Sequence, residues 1–378
     1  MRILIAPNSF KNSLDAISCA QAIAQGLEQS KLNCVCTCFP VGDGGDGTGL
    51  LLIKKWNAET INVPVHDALK RPINTSFGFI EDSKTAIIEM ADVSGLKLLQ
   101  SHELDPLHAS SYGTGEMILH ALDKGATKII LCIGGSASVD GGTGILQALG
   151  YKFLDDNKNV LKDIPLSLTN LSAIDDSKAD NRIFNCEVII LCDVENYLLG
   201  THGAAAVFAP QKGANPNDVK QLEQCLQKLR DITFKQTGID INTLKHGGAA
   251  GGVAAGLAAW LKAKLVNGID YFLDATNFND AIKNTDLLIT GEGNIDTQTL
   301  HGKAPYGVAN LAKENNVPVI GLAGKIPQQS NEAFNKYFDV LLPISNDANI
   351  SEAILHTKEN LIRTANTLGD LMALSRIF

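Results

Sequence analysis

The sequence predicts an α/β protein of two domains, a flavodoxin-like, doubly wound parallel sheet interrupted by a large inserted α/β domain. Three observations carry that prediction. Short apolar runs, each stopped by glycine or proline and followed by a helical pattern, recur at both ends of the chain. Two such strand–loop–helix units lie before the middle and three after it, enough for one five-stranded sheet. After the first two units, from Thr60 to Met90, the texture changes to short strands and turns without helices. The expected boundaries are 1–62 with 283–378 for the sheet domain and 63–282 for the insertion. At 378 residues the chain is too long for one core and suits two domains.

Arg2–Ala6 is a strand ended at PNSFKNS, and a helix from about Leu14 to Glu28 follows with Ser13 as its cap. Cys34–Val41 is the second strand, broken at GDGGDGTG, and Leu50–Trp56 is a short helix. Thr60–Val65, Pro72–Ile80 and Ala86–Met90 form the strand-rich stretch. From Gly115 to Lys124 the pattern is helical, then Lys128–Ile133 is a strand leading to GGSASVDGG and another helix. Asp155–Asp163 and Asp175–Asn181 read as polar loops, and Val188–Cys192 as a strand ending at Asp193. Asn215 and Pro216 open a long helix to about Gln236. In the last third, Leu287–Thr290 leads to GEGNID and a helix over Tyr306–Glu314. Val317–Ala323 leads to Gly324–Lys325, with a helix near Asn331–Tyr337, and Val340–Pro343 leads to a final helix from about Ser351.

A formal charge of −9 and the absence of any basic run argue against a nucleic-acid partner. No apolar run is long enough to span a bilayer, so no membrane partner is expected. MRILIA, cut off by Pro7, reads as a strand rather than a signal peptide. Most of the eight cysteines lie in apolar strand runs, and Cys34, Cys36 and Cys38 alternate along one strand face. That spacing is a packing pattern rather than a zinc pattern, and it predicts a cytoplasmic chain with reduced thiols.

The chemistry is expected in the loops beyond the strands' carboxyl ends. IILCIGGSASVDGGTG, Ile129 to Gly144, is a strand stopped at a glycine turn that opens a helix, which exposes N–H groups to an anion. Gly134, Gly135, Ser136 and Asp140 are the candidates there. GDGGDG matches a dinucleotide fingerprint by its letters, but Asp43 and Asp46 would repel a pyrophosphate. Asp43 with Gly44 and Gly45 suits a magnesium–phosphate or hydroxyl site better. Glu292 and Asp296 in GEGNID lie just past a strand and suit a hard cation, as Asp193 does; either Asp193 or Asp296 can take a hydroxyl proton. Lys11, beside Ser9 in the first loop, Lys212 and Lys303 adjoin small residues and can offset phosphate charge. No Walker motif, protein-kinase signature or G-x-S-x-G is present. The histidines show no metal-ligand pairing.

Taken in order, APNSFKNSL, VGDGGDGT, YGTGE, IGGSASVDGG, CDVEN, APQKGA, GAAGG, ITGEGNID and GKAPYGVA resemble the bacterial type-I glycerate kinase family across essentially the full chain. The resemblance implies transfer of the ATP γ-phosphate to D-glycerate, giving 2-phosphoglycerate, with Mg2+, and an active site in the cleft between two α/β domains. On this reading Lys11, Asp193 and Asp296 are the catalytic candidates. Ser9, Asp43, Gly44, Gly45, Gly134, Gly135, Ser136, Asp140, Lys212 and Lys303 bind substrate or phosphate, and Asp43 and Glu292 hold the metal. Asn8, Asp46, Val139 and Asn294 depart from the family pattern, which usually has Asp, Glu, Asn and Arg there. Without an arginine at 294, the charge falls to Lys11, Lys212 or Lys303. A kinase of another small hydroxy acid, a non-catalytic small-acid-binding protein and a homo-oligomer remain compatible with the motifs.

Overall fold

The computed structural model describes residues 1–296, 299, 302–327, 332–345 and 350–374. Among these, the strands in chain order are β1 Arg2–Ile5, β2 Val35–Cys38, β3 Glu59–His66, β4 Pro72–Ile80, β5 Thr85–Glu89, β6 Lys128–Cys132 and β7 Lys152–Leu154. They continue as β8 Ala173–Asp175, β9 Glu187–Cys192, β10 Lys264–Asn267, β11 Leu287–Asn294, β12 Val319–Lys325 and β13 Val340–Pro343. The described chain packs as two units, Met1–Asp43 with the segment from Ile269 onward, and Gly44–Gly268.

In the first unit five parallel strands lie in the order β13-β12-β11-β1-β2. Winding reverses between β1 and β11, the point at which doubly wound sheets place their ligands. Ile3, Ile5, Leu287, Ile289, Ile320 and Leu322 form a core with Ala20, Ile23 and Leu27 of the helix Ala16–Glu28 and with Leu361, Ala365 and Leu368 of the helix Thr357–Leu374. Those two helices cross closely at Gly26, where a Cβ would stand 2.3 Å from the Ile362 carbonyl oxygen. Asp15, not Ser13, caps the first helix: its Oδ1 accepts the Ser18 N–H at 2.9 Å, two residues later than the sequence suggested.

The second unit carries a six-stranded sheet, β10-β9-β6-β5-β4-β3. β3, β4 and β5 pair antiparallel and β5, β6, β9 and β10 pair parallel. Ile88, Ile129, Leu131, Val188 and Ile190 of this sheet belong to one large core with Met117, Ile118, Ile145, Leu146, Leu226 and Leu257.

Several expectations need correction. The first crossover falls at 43–44 and the second at 268–269, not at 62–63 and 282–283. The helix Thr48–Lys55 packs on β4 and β5, and β3 pairs along its whole length with β4, so both belong to the second unit. The GEGN stretch, read as loop, continues β11, because Glu292 and Asn294 stay in register with Ala323 and Lys325 of β12. The polar middle hides the β7–β8 pair. The terminal helix is two, Ile350–Leu355 and Thr357–Leu374. Near 331–337 the helix is Glu332–Asn335, and Asn331 lies outside the described residues.

Candidate functional site

In the first unit the predicted residues gather beyond β1 and β2 and along the end of β11. Pro7 ends β1, and the next N–H, from Asn8, bonds to the Gly291 carbonyl of β11 at 2.8 Å. Asn8 is thereby fixed over the reversal of winding, and its Nδ2 donates to Asp43 Oδ2 at 3.0 Å. The same oxygen accepts the Ala304 N–H at 3.4 Å, at the start of the helix Ala304–Glu314, where the helix dipole favours negative charge. Ser9 donates its backbone N–H to Asn8 Oδ1 at 2.7 Å. Glu292 is buried on β11 and accepts the Thr299 hydroxyl at 2.7 Å. Burial pushes its carboxyl up to about 7; the Asp43 charge adds to this, and Lys303, the Thr299 hydroxyl and Lys11 oppose it. Asp296 sits at the rim, its Oδ2 taking the Asn294 amide at 2.6 Å and its N–H donating to Thr299 Oγ1 at 3.1 Å.

Glu292 yields a stability prediction. Its folded pKa lies above the ordinary 4.5, so between pH 4.5 and 7 the native state holds more protons than the unfolded one. Stability is therefore lost as pH rises across that window. Glu292→Gln should match the parent near pH 4 and exceed it above pH 8, by on the order of 3 kcal/mol at most. Urea unfolding at the two pH values checks this; an equal difference at both would contradict it.

In the second unit, the loops after β6 and β9 converge because those strands are parallel neighbours. Gly134 donates to the Gly44 carbonyl at 3.0 Å, and a Cβ on Gly134 would stand 2.4 Å from Gly45 Cα. The two glycine loops thus pack backbone against backbone, which requires glycine there. Gly44 also donates its N–H to Thr48 Oγ1 at 3.0 Å, and Gly135 is exposed with a φ of +71°. The short helix Thr143–Ala148, expected to offer its N–H groups to a guest anion, already has one. Asp140, fully buried, accepts the N–H of Gly142 at 3.1 Å and of Gly144 at 3.2 Å, with the N–H and hydroxyl of Ser111 at 2.8 and 2.7 Å.

Lys212, expected as a loop cation, is 2% exposed. Its Nζ donates to Ser136 Oγ at 2.9 Å and to the Ser138 carbonyl at 2.6 Å. Burial pulls its ammonium down to about 7, against the charges of Asp140 and Asp193. The Ser138 hydroxyl beside it is buried with no partner among the described residues. A separate cavity of about 680 Å³ in this unit, lined by residues such as Phe184, Gln236, Trp260 and Lys262, contains none of the predicted residues.

Each unit therefore gathers carboxyls and lysines beyond the carboxyl ends of parallel strands, the place and the charge balance that phosphoryl transfer uses. The chain matches the glycerate kinase family model over residues 3–373. It belongs to the glycerate kinase family. A "Glycerate kinase" of Bacillus subtilis is 41% identical over 377 residues, covering 100% of this chain and 99% of that one. A "Glycerate 2-kinase" of Escherichia coli is 40% identical over 375 residues, covering 99% and 98%. A crystal structure of a protein assigned as glycerate kinase 2 from Salmonella typhimurium superimposes with a TM-score of 0.81 at 38% identity, covering all of both chains. As a glycerate kinase family member the chain is a kinase. The candidate site also holds side chains not assigned to it from the sequence: Asn8, noted only as a departure from the family pattern, and Thr299 hydrogen-bond to its carboxyls, and Ser111 anchors Asp140.

Proposed function

We propose that the chain catalyses ATP-dependent phosphorylation of D-glycerate at its 2-hydroxyl, giving 2-phosphoglycerate and ADP. Full-length similarity to proteins named glycerate kinase and glycerate 2-kinase carries this reading. Lys212, held between charged and neutral forms near pH 7, supplies a cation to phosphate, with Lys11 and Lys303 as further cations toward Glu292. Ser9 in the first unit, and Gly44, Gly45, Gly134, Gly135 and Ser136 in the second, are the groups offered to phosphate and substrate, and Asp140 organises the loop that carries Gly134, Gly135 and Ser136. Asp193 takes the hydroxyl proton. It follows β9 directly and its charge acts on the Lys212 ammonium.

The donor set also fits Mg2+. Asp43 and Glu292 are two buried carboxyls, close enough for the Asp43 charge to raise the Glu292 pKa. They suit a hard cation that keeps most of its ligands as water and phosphate oxygens. Bound there, Mg2+ would neutralise developing phosphoryl charge. Eight free cysteines accord with a reducing, cytoplasmic setting; among the described residues no helix is long and apolar enough to cross a membrane.

The test is ADP release over a panel of D-glycerate, L-glycerate and other small hydroxy acids. D-Glycerate alone should support full turnover, and preference for another acid would replace the substrate. Within the same assay Asp193→Asn should lose about a hundredfold or more in kcat, and Asp296→Asn less than tenfold. The reverse order would move the base to Asp296.

A further inference from the structure

Glu89 is a buried carboxyl outside the site described above. It ends β5 in register with Cys132 of β6. Its Oε1 accepts the Gly47 N–H and its Oε2 the Leu50 N–H at 3.3 Å, so it closes the start of the helix Thr48–Lys55 from a distant part of the chain. Gly49 makes room for it, since a Cβ there would stand 2.8 Å from Glu89 Oε2. The Asp46 carboxyl hydrogen-bonds to Glu89. Beyond it, Lys97 Nζ holds Asp46 at 2.8 Å and Asp92 at 2.6 Å. The ionisable groups facing Glu89 are thus Asp46 from the loop, Asp92 and Lys97 from the turn after β5, and Cys132 from β6.

We propose that Glu89 is a positioning residue for phosphoryl transfer: it clamps Gly47, Leu50 and Asp46 and so fixes the part of the GDGGDG loop from Gly44 to Gly47. The assignment rests on the phosphotransfer reading above. Glu89 is buried while Asp46 reaches solvent, so a proton shared by this carboxyl pair resides on Glu89. Burial, with the Asp92 charge, pushes Glu89 up to about 8. Below that pH the Glu89 O–H donates to the Asp46 carboxylate while its carbonyl oxygen accepts from Gly47. Above it the proton goes to solvent, two negative carboxyls face each other, and the loop end loosens. Glutamine reproduces the protonated acid toward Asp46 and Gly47, its amide N–H donating to Asp46 and its amide oxygen accepting from Gly47, but its nitrogen cannot accept the Leu50 N–H.

Glu89→Ala and Glu89→Gln test this by amide hydrogen exchange of Gly47 and Leu50 and by kcat at saturating D-glycerate and ATP. In the parent, protection of both amides should fall above pH 8 beyond the ordinary base-catalysed rise, and kcat should fall with it. Glu89→Gln should abolish that extra loss at Gly47. Glu89→Ala should lose protection of both amides at every pH and at least tenfold in kcat, with the Gly47 protection and most of the kcat recovered by glutamine. Identical pH dependence of exchange in the parent and Glu89→Gln would overturn the proposal, even if the alanine variant fails to fold. The exchange readout needs no substrate, so its failure is distinct from that of the glycerate reading.

Discussion

Lys212→Met should lower kcat by about a hundred- to a thousandfold, the usual consequence of removing one preorganised donor from developing phosphoryl charge. The fold should survive, since methionine replaces a fully enclosed side chain of similar length. The lost bonds to Ser136 Oγ and the Ser138 carbonyl cost about 1–3 kcal/mol. Removal of a buried ammonium offsets part of that. The pH dependence identifies the cause. The folded pKa of about 7 lies below the ordinary 10.5, so between those values the unfolded state holds more protons and native stability rises with pH. The penalty is complete below pH 7. The variant should therefore compare best with its parent at pH 6 and worst at pH 10, by thermal unfolding. Because the charged form is the one that serves, kcat/KM of the parent should fall as pH rises through about 7. Turnover within twofold of the parent would remove Lys212 from the site.

A second large effect is expected on stability. Asp140→Ala strips the acceptor from three backbone N–H groups and the Ser111 hydroxyl, all in the interior of the second unit. Leaving such donors unpaired should cost about 3–5 kcal/mol, and lower Tm by roughly 6–20 °C in a unit of this size. Ser111→Ala, which removes the hydroxyl alone, should cost about 1 kcal/mol. Calorimetry of both variants checks the ranking. A Tm within 2 °C of the parent for Asp140→Ala would mean that Asp140 is held for a ligand and not for the loop.

These two residues show where the sequence was legible. The buried strands were readable as apolar runs closed by glycine or proline, and the winding order of the first unit follows from counting them. Asp140 was visible as a polar residue in a glycine loop, but not as the anion that fills the helix end. From sequence, a carboxylate that binds and one that caps look alike. Lys212 was misleading for a different reason: lysine between proline and glycine signals a solvated turn, and only the fold encloses it. Glu292 lay in GEGN, whose glycines suggest a turn, and its strand character comes from the β12 ladder, which is a tertiary fact. β7 and β8 are three residues each in polar surroundings, too short to show an alternation. Glu89 gave no local cue because its partners are some forty residues earlier in the chain.

The most direct test of the central claim is phosphorus NMR of the purified chain incubated with D-glycerate, ATP and Mg2+. ADP and 2-phosphoglycerate are expected in equal amounts, dependent on D-glycerate and formed about a hundredfold or more slowly by Lys212→Met. A 3-phosphoglycerate signal, or ADP formation indifferent to D-glycerate, would contradict it.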